Sequence, residues 1–124
     1  MKAIFSDKLA TPAGPFSPAI RVDGFIYISG SIGQDPATGK IVPGGVEKQV
    51  EQVFANLAAV LEAAGRNFTD VVRAGVYLTD MGNFGVMNAI YARHFIEPYP
   101  ARTTIAVAAL PLGAAVEIDL VVRE

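Results

Sequence analysis

Between Val46 and Ala64 the apolar residues return every third or fourth position: Val46, Val50, Val53, Phe54, Leu57, Val60, Leu61 and Ala64. That period gives an α-helix one long apolar face. Glu47, Lys48, Glu51 and Glu62 fall elsewhere and are expected in solvent, and Gly65 stands where a helix C-cap belongs. A helix with one apolar face must cover something, and the chain on either side of it is rich in β-formers. Upstream, Ile20, Val22 and Phe25–Ile28 flank Asp23-Gly24, a strong short hairpin signal, which predicts strands over about 19–22 and 25–32. Downstream, VVRAGVYL (71–78) reads as a strand and NFGVMNAIYARHF (83–95) as a second helix, with Phe84, Met87, Ile90, Tyr91 and Phe95 on one side. ARTTIAVAAL (101–110) and AVEIDLVVR (115–123) read as the last two strands.

The resulting order, β-β, helix, β, helix, β-β, is an α+β pattern with β-α-β crossovers. With 124 residues the chain is expected to form a single domain over 1–124. TPAGPFSPA (11–19) is too short and too apolar for a tether, and reads as an ordered loop packed on the body. Right-handed crossovers that wind the same way leave both helices on one face of the sheet. The strand at 105–110 is nevertheless apolar on both sides: Ile105, Val107 and Ala109 alternate with Ala106, Ala108 and Leu110. A face without helices then needs a partner, and a second copy of the chain is the simplest one.

Composition excludes several classes of function. There is no cysteine, so disulfides, thiolate metal sites and a thiol nucleophile are out. The single histidine, His94, cannot make a typical metal site and is expected to interact with a helix C-terminal dipole. A formal net charge of −2, with ten Lys and Arg spread thinly, gives no drive toward nucleic acid. No apolar run is long enough to span a membrane and no secretory signal is visible, so a cytoplasmic location is expected.

Arg102 heads the run RTTIAVAAL, after which no formal charge appears until Glu117. By position it is either a solvated strand end or an anion-binding group at the edge of a dry pocket. Glu117, between Val116 and Ile118, is either solvated or a carboxyl pushed toward neutrality by desolvation. Asn88 reads as a helix-surface or cap residue, Ser29-Gly30 as a strand end and Phe16 as packing. Asp70, Asp80 and Asp119 read as turn, cap or strand-edge residues.

AGPFSPAI, FIYISGSIG, VYLTDMGNFGVMNAIYARHF and YPARTTIAVAALPLGAAVEIDLVV resemble, in order and spacing, segments of the RidA/YjgF/YER057c/UK114 family. The resemblance spans nearly the whole chain. It implies a chorismate-mutase-like α+β fold: a mixed sheet with two helices on one face, assembled as a homotrimer with a central β-barrel and ligand clefts between subunits. It further implies hydrolysis of reactive 2-imino acids, tautomers of 2-aminoacrylate and its homologues, to 2-keto acids and ammonia without metal or cofactor. Pyridoxal-phosphate enzymes release such imines, which gives a functional link to them. Arg102 matches the family arginine that clamps the substrate carboxylate, and Glu117 the acidic residue that handles the attacking water. Ser29, Gly30 and Asn88 match pocket positions. Phe16 stands where tyrosine is usual, Pro18 and Ser31 where glutamine is common, and Thr104 where many members have cysteine; Phe16 and Thr104 are carried over as substrate-binding positions. A non-catalytic carboxylate-binding or sensor protein is the alternative, and the family's endoribonuclease or translation-inhibitor label finds little support in these residues.

If the last two strands formed a hairpin about Leu112, Arg102 and Glu117 would be offset by five residues, about 16 Å. That is too far to hold one small imino acid. Either these strands are not paired neighbours, or the two residues meet across a subunit boundary.

Overall fold

The structure is a computed structural model that describes residues 1–124. Strands β1 (Lys2–Ile4), β2 (Ala19–Val22), β3 (Phe25–Ile32), β4 (Val71–Leu78), β5 (Ala101–Ala106) and β6 (Val116–Arg123) form one sheet in the order β1-β2-β3-β6-β4-β5. Helices α1 (Gly45–Ala63) and α2 (Phe84–Tyr91) connect β3 to β4 and β4 to β5. Only β4 and β5 pair in parallel; every other pair is antiparallel. β6 lies between β3 and β4, so the first crossover is split around the last strand. β5 and β6 are therefore not neighbours, which is the first of the two alternatives left open above.

The hairpin at Asp23-Gly24 forms as expected. Both residues have positive φ, 51° and 81°, as a two-residue type I′ turn requires, and Val22 pairs with Phe25. α1 buries the predicted face: Val50, Val53, Phe54, Leu57, Val60 and Leu61. At its end the N–H of Arg66 donates to the carbonyl of Leu61, and Gly65 takes φ 71°. Asn56, also buried on α1, donates to the carbonyls of Ile32 and Gln34 and so ties the helix to the end of β3.

One face of the sheet is dry. Ile26, Ile28, Ala74, Val76, Leu78, Val116, Ile118, Leu120 and Val122 are buried beneath the two helices in one core. The alternate residues of the same strands stand on the other face, where Phe25 and Tyr27 are exposed. Ile105 on β5 is exposed as well. The apolar helix-free face expected from the sequence is thus present.

Four expectations change. β1 was not foreseen; three residues are too short to carry a pattern. β5 ends at Ala106, not Leu110, because β4 ends at Leu78, its last partner, and the N–H of Val107 makes the final bond to Leu78. α2 is shorter than 83–95. It is preceded by a 3-10 turn over Met81–Asn83, where Asp80 accepts from the N–H of Gly82, and the chain from Arg93 to His94 tightens into i→i−3 bonds. His94 does not serve as a charged dipole partner. Its ring stacks on Phe54, with centroids 4.2 Å apart and planes 1° from parallel, and it packs beside Phe68. Burial, helped by the neighbouring charge of Arg93, lowers its pKa and keeps it neutral.

That depression makes stability depend on pH with a defined sign. Above the ordinary histidine value of 6.5 His94 is neutral folded or unfolded, and its contribution is fully present. As pH falls below 6.5 the unfolded chain takes up the proton first, so stability is lost until the folded pKa is passed. The urea midpoint should fall between pH 7 and about 5, and His94→Phe, which keeps a stacked ring, should flatten that fall. Equal slopes for the two proteins would refute this.

Candidate active site

Arg102 and Thr104 leave β5 on the helix side of the sheet. In the parallel register Arg102 pairs with Ala74 and Thr104 with Val76, both of which point into the core. There α2 meets the arginine. Phe84, Asn88 and Tyr91 are spaced four and three residues apart and so share one stripe of the helix. The Nη1 of Arg102 donates to the Oδ1 of Asn88 at 2.8 Å. The guanidinium carbon sits 4.6 Å from the centroid of the Tyr91 ring and 5.6 Å from that of Phe84. Cation–π contacts of this kind contribute about 0.5–2 kcal/mol each, the more so when desolvated. The arginine is thus held by one hydrogen bond and two rings, with no carboxylate to neutralise it, and its remaining donors are free for an anion.

Two buried oxygens lie in this region: the Thr104 Oγ1 has no hydrogen-bond partner, and the Tyr91 hydroxyl lies near the Arg102 guanidinium without a well-formed hydrogen bond to it. Each such group costs roughly 1–3 kcal/mol. Burial raises the pKa of Tyr91, against the opposing charge of Arg102, so the phenol keeps its proton.

Glu117 belongs to a second cluster. Its neighbours Val116 and Ile118 are fully buried beneath the helices, so its side chain stands on the helix-free face. It pairs with Tyr77 on β4 and Ile32 on β3. β3 bulges between Ile28 and Ser31, which puts Gly30 under the carboxyl. A Cβ at Gly30 would lie 2.7 Å from the Glu117 Cδ and 2.9 Å from its Oε2. Only a residue without a side chain lets Glu117 lie there. Ser29-Gly30 is thus a mid-strand bulge, not a strand end. The Ser29 hydroxyl donates to the carbonyl of Ser17 at 2.6 Å and its N–H to that of Pro18, stitching the 11–19 loop to β3.

The stitched loop forms one wall of a cleft of about 480 Å³, with Phe16, Pro18, Ser29, Gly30, Leu112 and Glu117 on its lining. Phe16 is 54% exposed and faces this cleft, so it is not core packing. Burial, and secondarily the charge of Asp119, raises the pKa of Glu117 from its ordinary value. No group of three or more His, Asp or Glu is arranged to hold a metal ion.

The seven residues singled out from the sequence fall into two groups. Arg102, Asn88 and Thr104 lie together on the helix side; Phe16, Ser29, Gly30 and Glu117 lie together at the cleft. Within one chain Arg102 stands on the helix side of the sheet and Glu117 on the helix-free side, while the cleft beside Glu117 also reaches Asn56 and Val60 of α1. Two strand spacings and three residues of register also separate Arg102 from Glu117, roughly 14 Å between their backbones. Asn88 acts on the arginine as its hydrogen-bond partner. Sequence reasoning assigned Phe84 and Tyr91 to packing only; their spacing around Asn88 was the available signal for a ring platform. Leu112, exposed at φ 58°, was also missed.

The family model described as Endoribonuclease L-PSP matches residues 7–124. A 2-iminobutanoate/2-iminopropanoate deaminase of Bos taurus is 45% identical over 120 residues, covering 97% of this chain and 88% of its own. The crystal structure of RidA from a Psychrobacter species superposes with a TM-score of 0.94 at 42% identity, covering 100% of both chains. That of E. coli TdcF with bound serine superposes at 0.93 with 28% identity, covering 100% of this chain and 99% of the other. With the family model running over residues 7–124 and a relative 45% identical over 97% of the chain, the chain belongs to the RidA/YjgF family.

Proposed function

We propose that this chain is a 2-imino acid deaminase, acting on 2-iminopropanoate, 2-iminobutanoate and related imines in clefts completed between subunits of a homotrimer. The observation that carries the reading is the split of the site. A fixed, unneutralised guanidinium lies on one face of the sheet and the Glu117 carboxyl in a cleft on the other, so two copies together supply what one imine needs. The deaminase names borne by relatives of about 45% identity support the same activity.

On this reading Arg102 takes the substrate carboxylate in two parallel hydrogen bonds, held in plane by Asn88 and the rings of Tyr91 and Phe84. Ionised Glu117 of the neighbouring copy accepts a proton from water as its oxygen bonds to C2. The C=N π pair moves to nitrogen, Glu117 passes the water proton to it, and a carbinolamine forms. Glu117 then takes the hydroxyl proton as the keto group forms and delivers it to nitrogen as the C–N bond breaks, so that ammonia leaves. Imine plus water thus gives keto acid plus ammonia, with no redox change and no cofactor. Phe16, Ser29, Gly30 and Thr104 shape the pocket around the substrate. Because the uncatalysed reaction is already easy, orientation and one acid–base group are sufficient catalysis.

A second reading, carboxylate binding without catalysis, is favoured by one observation: a relative was solved with an amino acid, serine, bound. Ammonia release separates the two. With imine generated in situ by a threonine or serine dehydratase, the wild type should accelerate keto-acid formation. Arg102→Lys, which keeps the charge but not the two parallel bonds, should lower kcat/KM by about 10²-fold. Wild-type protein that binds the product keto acid yet leaves the rate unchanged would establish the binding reading instead.

Mixing tests the shared site. In trimers reassembled from equal amounts of Arg102→Ala and Glu117→Ala chains, random pairing puts an intact Arg102 beside an intact Glu117 at roughly a quarter of the interfaces. Activity should return to about that fraction; none after verified exchange would refute the arrangement. Gly30→Ala should cost about 10²-fold in kcat/KM by lifting the Glu117 carboxyl out of place, with little change in melting temperature.

A further inference from the structure

On the helix-free face, Glu117 has a charged neighbour that the reaction as written does not use. Asp119 follows it two residues along β6 and points the same way. β6 runs between β3 and β4, so Asp119 is not the strand-edge residue its sequence context suggests. In the antiparallel register Asp119 pairs with Gly75 and Glu117 with Tyr77. The Tyr77 hydroxyl reaches diagonally over Gly75 and donates to the Asp119 Oδ2 at 2.8 Å. That diagonal exists only because Gly75 has no side chain. A Cβ there would lie 2.5 Å from the Asp119 Oδ1 and 2.9 Å from the Tyr77 hydroxyl oxygen.

We propose that Asp119, oriented by Tyr77 across the gap at Gly75, is a positioning residue for the acid–base work of Glu117. The inference rests on the reading of Glu117 as the group that handles water. Asp119 accepts from the phenol, and that hydrogen bond raises the pKa of Tyr77, so the phenol remains a donor. The fixed negative charge opposes ionisation of the carboxyl beside it.

The other groups around Glu117 do not compete. On β3, Gly30, Ser31 and Ile32 carry no charge, and neither do Phe16, Pro18 and Leu112 in the cleft wall. On β4, Arg73 is the nearest cation. It donates to the carbonyl of Ala74 and to the Oγ1 of Thr103, which holds it over β5. Arg123, farther along β6, is engaged with Asp70 at 3.7 Å. Asp119 is thus the acidic neighbour on this face placed to act on the proton affinity of Glu117.

The test compares wild type with Asp119→Asn, which keeps the shape and an acceptor for Tyr77 but removes the charge. The pH dependence of kcat/KM is measured, and the Glu117 carboxyl is titrated by carbon NMR, its signal identified by its loss in Glu117→Gln. In Asp119→Asn both the rate limb and the carboxyl titration should move to lower pH by roughly half a unit or more, with KM little changed. A Glu117 titration that stays where it is in the wild type would overturn the proposal, even if activity falls, because the loss would then be structural. A wild-type rate limb that does not coincide with the Glu117 titration would refute the prior reading of Glu117, and this proposal with it. Asp119→Ser, also neutral, supplies the same comparison should the asparagine variant not assemble.

Discussion

The strict alternation of β6 is the constraint on which the rest depends. Val116, Ile118, Leu120 and Val122 are buried under the helices, and Glu117, Asp119 and Val121 must then face the other way. A one-residue slip would put two carboxylates into the core and four aliphatic side chains on the opposite face, so the register is strongly specified. Because β6 is inserted between β3 and β4, it also fixes what stands beside each carboxyl: Gly30 from one side, Tyr77 and Gly75 from the other. The hydrophobic core therefore does more than stabilise the chain. It aims the acidic residues.

Arg102 is aimed by a different device. β5 is an edge strand, paired only with β4, and its helix-side residues meet α2 near the margin of the core. There two rings and an amide oxygen replace part of the water of the guanidinium without pairing it to a carboxylate. A carboxylate partner would have made a stronger contact and a useless clamp. With Asn88 as the anchor, the attraction for an incoming anion is left intact. On the proposed reading, the acid–base group and the anion clamp sit on opposite faces of one sheet so that each faces a different neighbour.

The fold was largely legible in the sequence because its signals are local. The Asp23-Gly24 turn, the apolar stripe of α1 and the β-branched runs of β3, β4 and β6 each name their element within a few residues. What was not legible is long-range. The insertion of β6 between β3 and β4 leaves no local mark, and with it the separation of Arg102 from Glu117 could be posed only as a choice between two geometries. Element ends were lost for a related reason: β5 stops where its partner stops, although its own residues would continue. The site shows the same division. Arg102 and Glu117 stood out as charges in apolar surroundings, and the rise in the pKa of Glu117 follows from that pattern. Asp119 did not stand out, since its role depends on a tyrosine and a glycine more than forty residues away on another strand. His94 was read as a partner of the helix C-terminal dipole, but a ring partner on α1 packs it, half-buried, against the edge of the core.

Two of the unsatisfied groups of the single chain, the buried oxygens of Tyr91 and Thr104, lie near Arg102, while Phe16, Phe25, Tyr27 and Ile105 leave apolar surface in water. Burying an aromatic or aliphatic side chain of this size contributes about 1.5–3 kcal/mol, and an unpaired buried hydroxyl costs a comparable amount. A chain that carries both penalties is more stable when another copy covers the apolar face, and better matched still when a polar ligand reaches the two oxygens. The proposed assembly and the proposed substrate answer separate parts of that imbalance. On the proposed reading an imino acid offers its carboxylate to the arginine. Since Phe16 has no hydroxyl to offer, recognition of the imine then falls on the guanidinium of Arg102, the hydroxyls of Tyr91 and Thr104 and the carboxyl of Glu117.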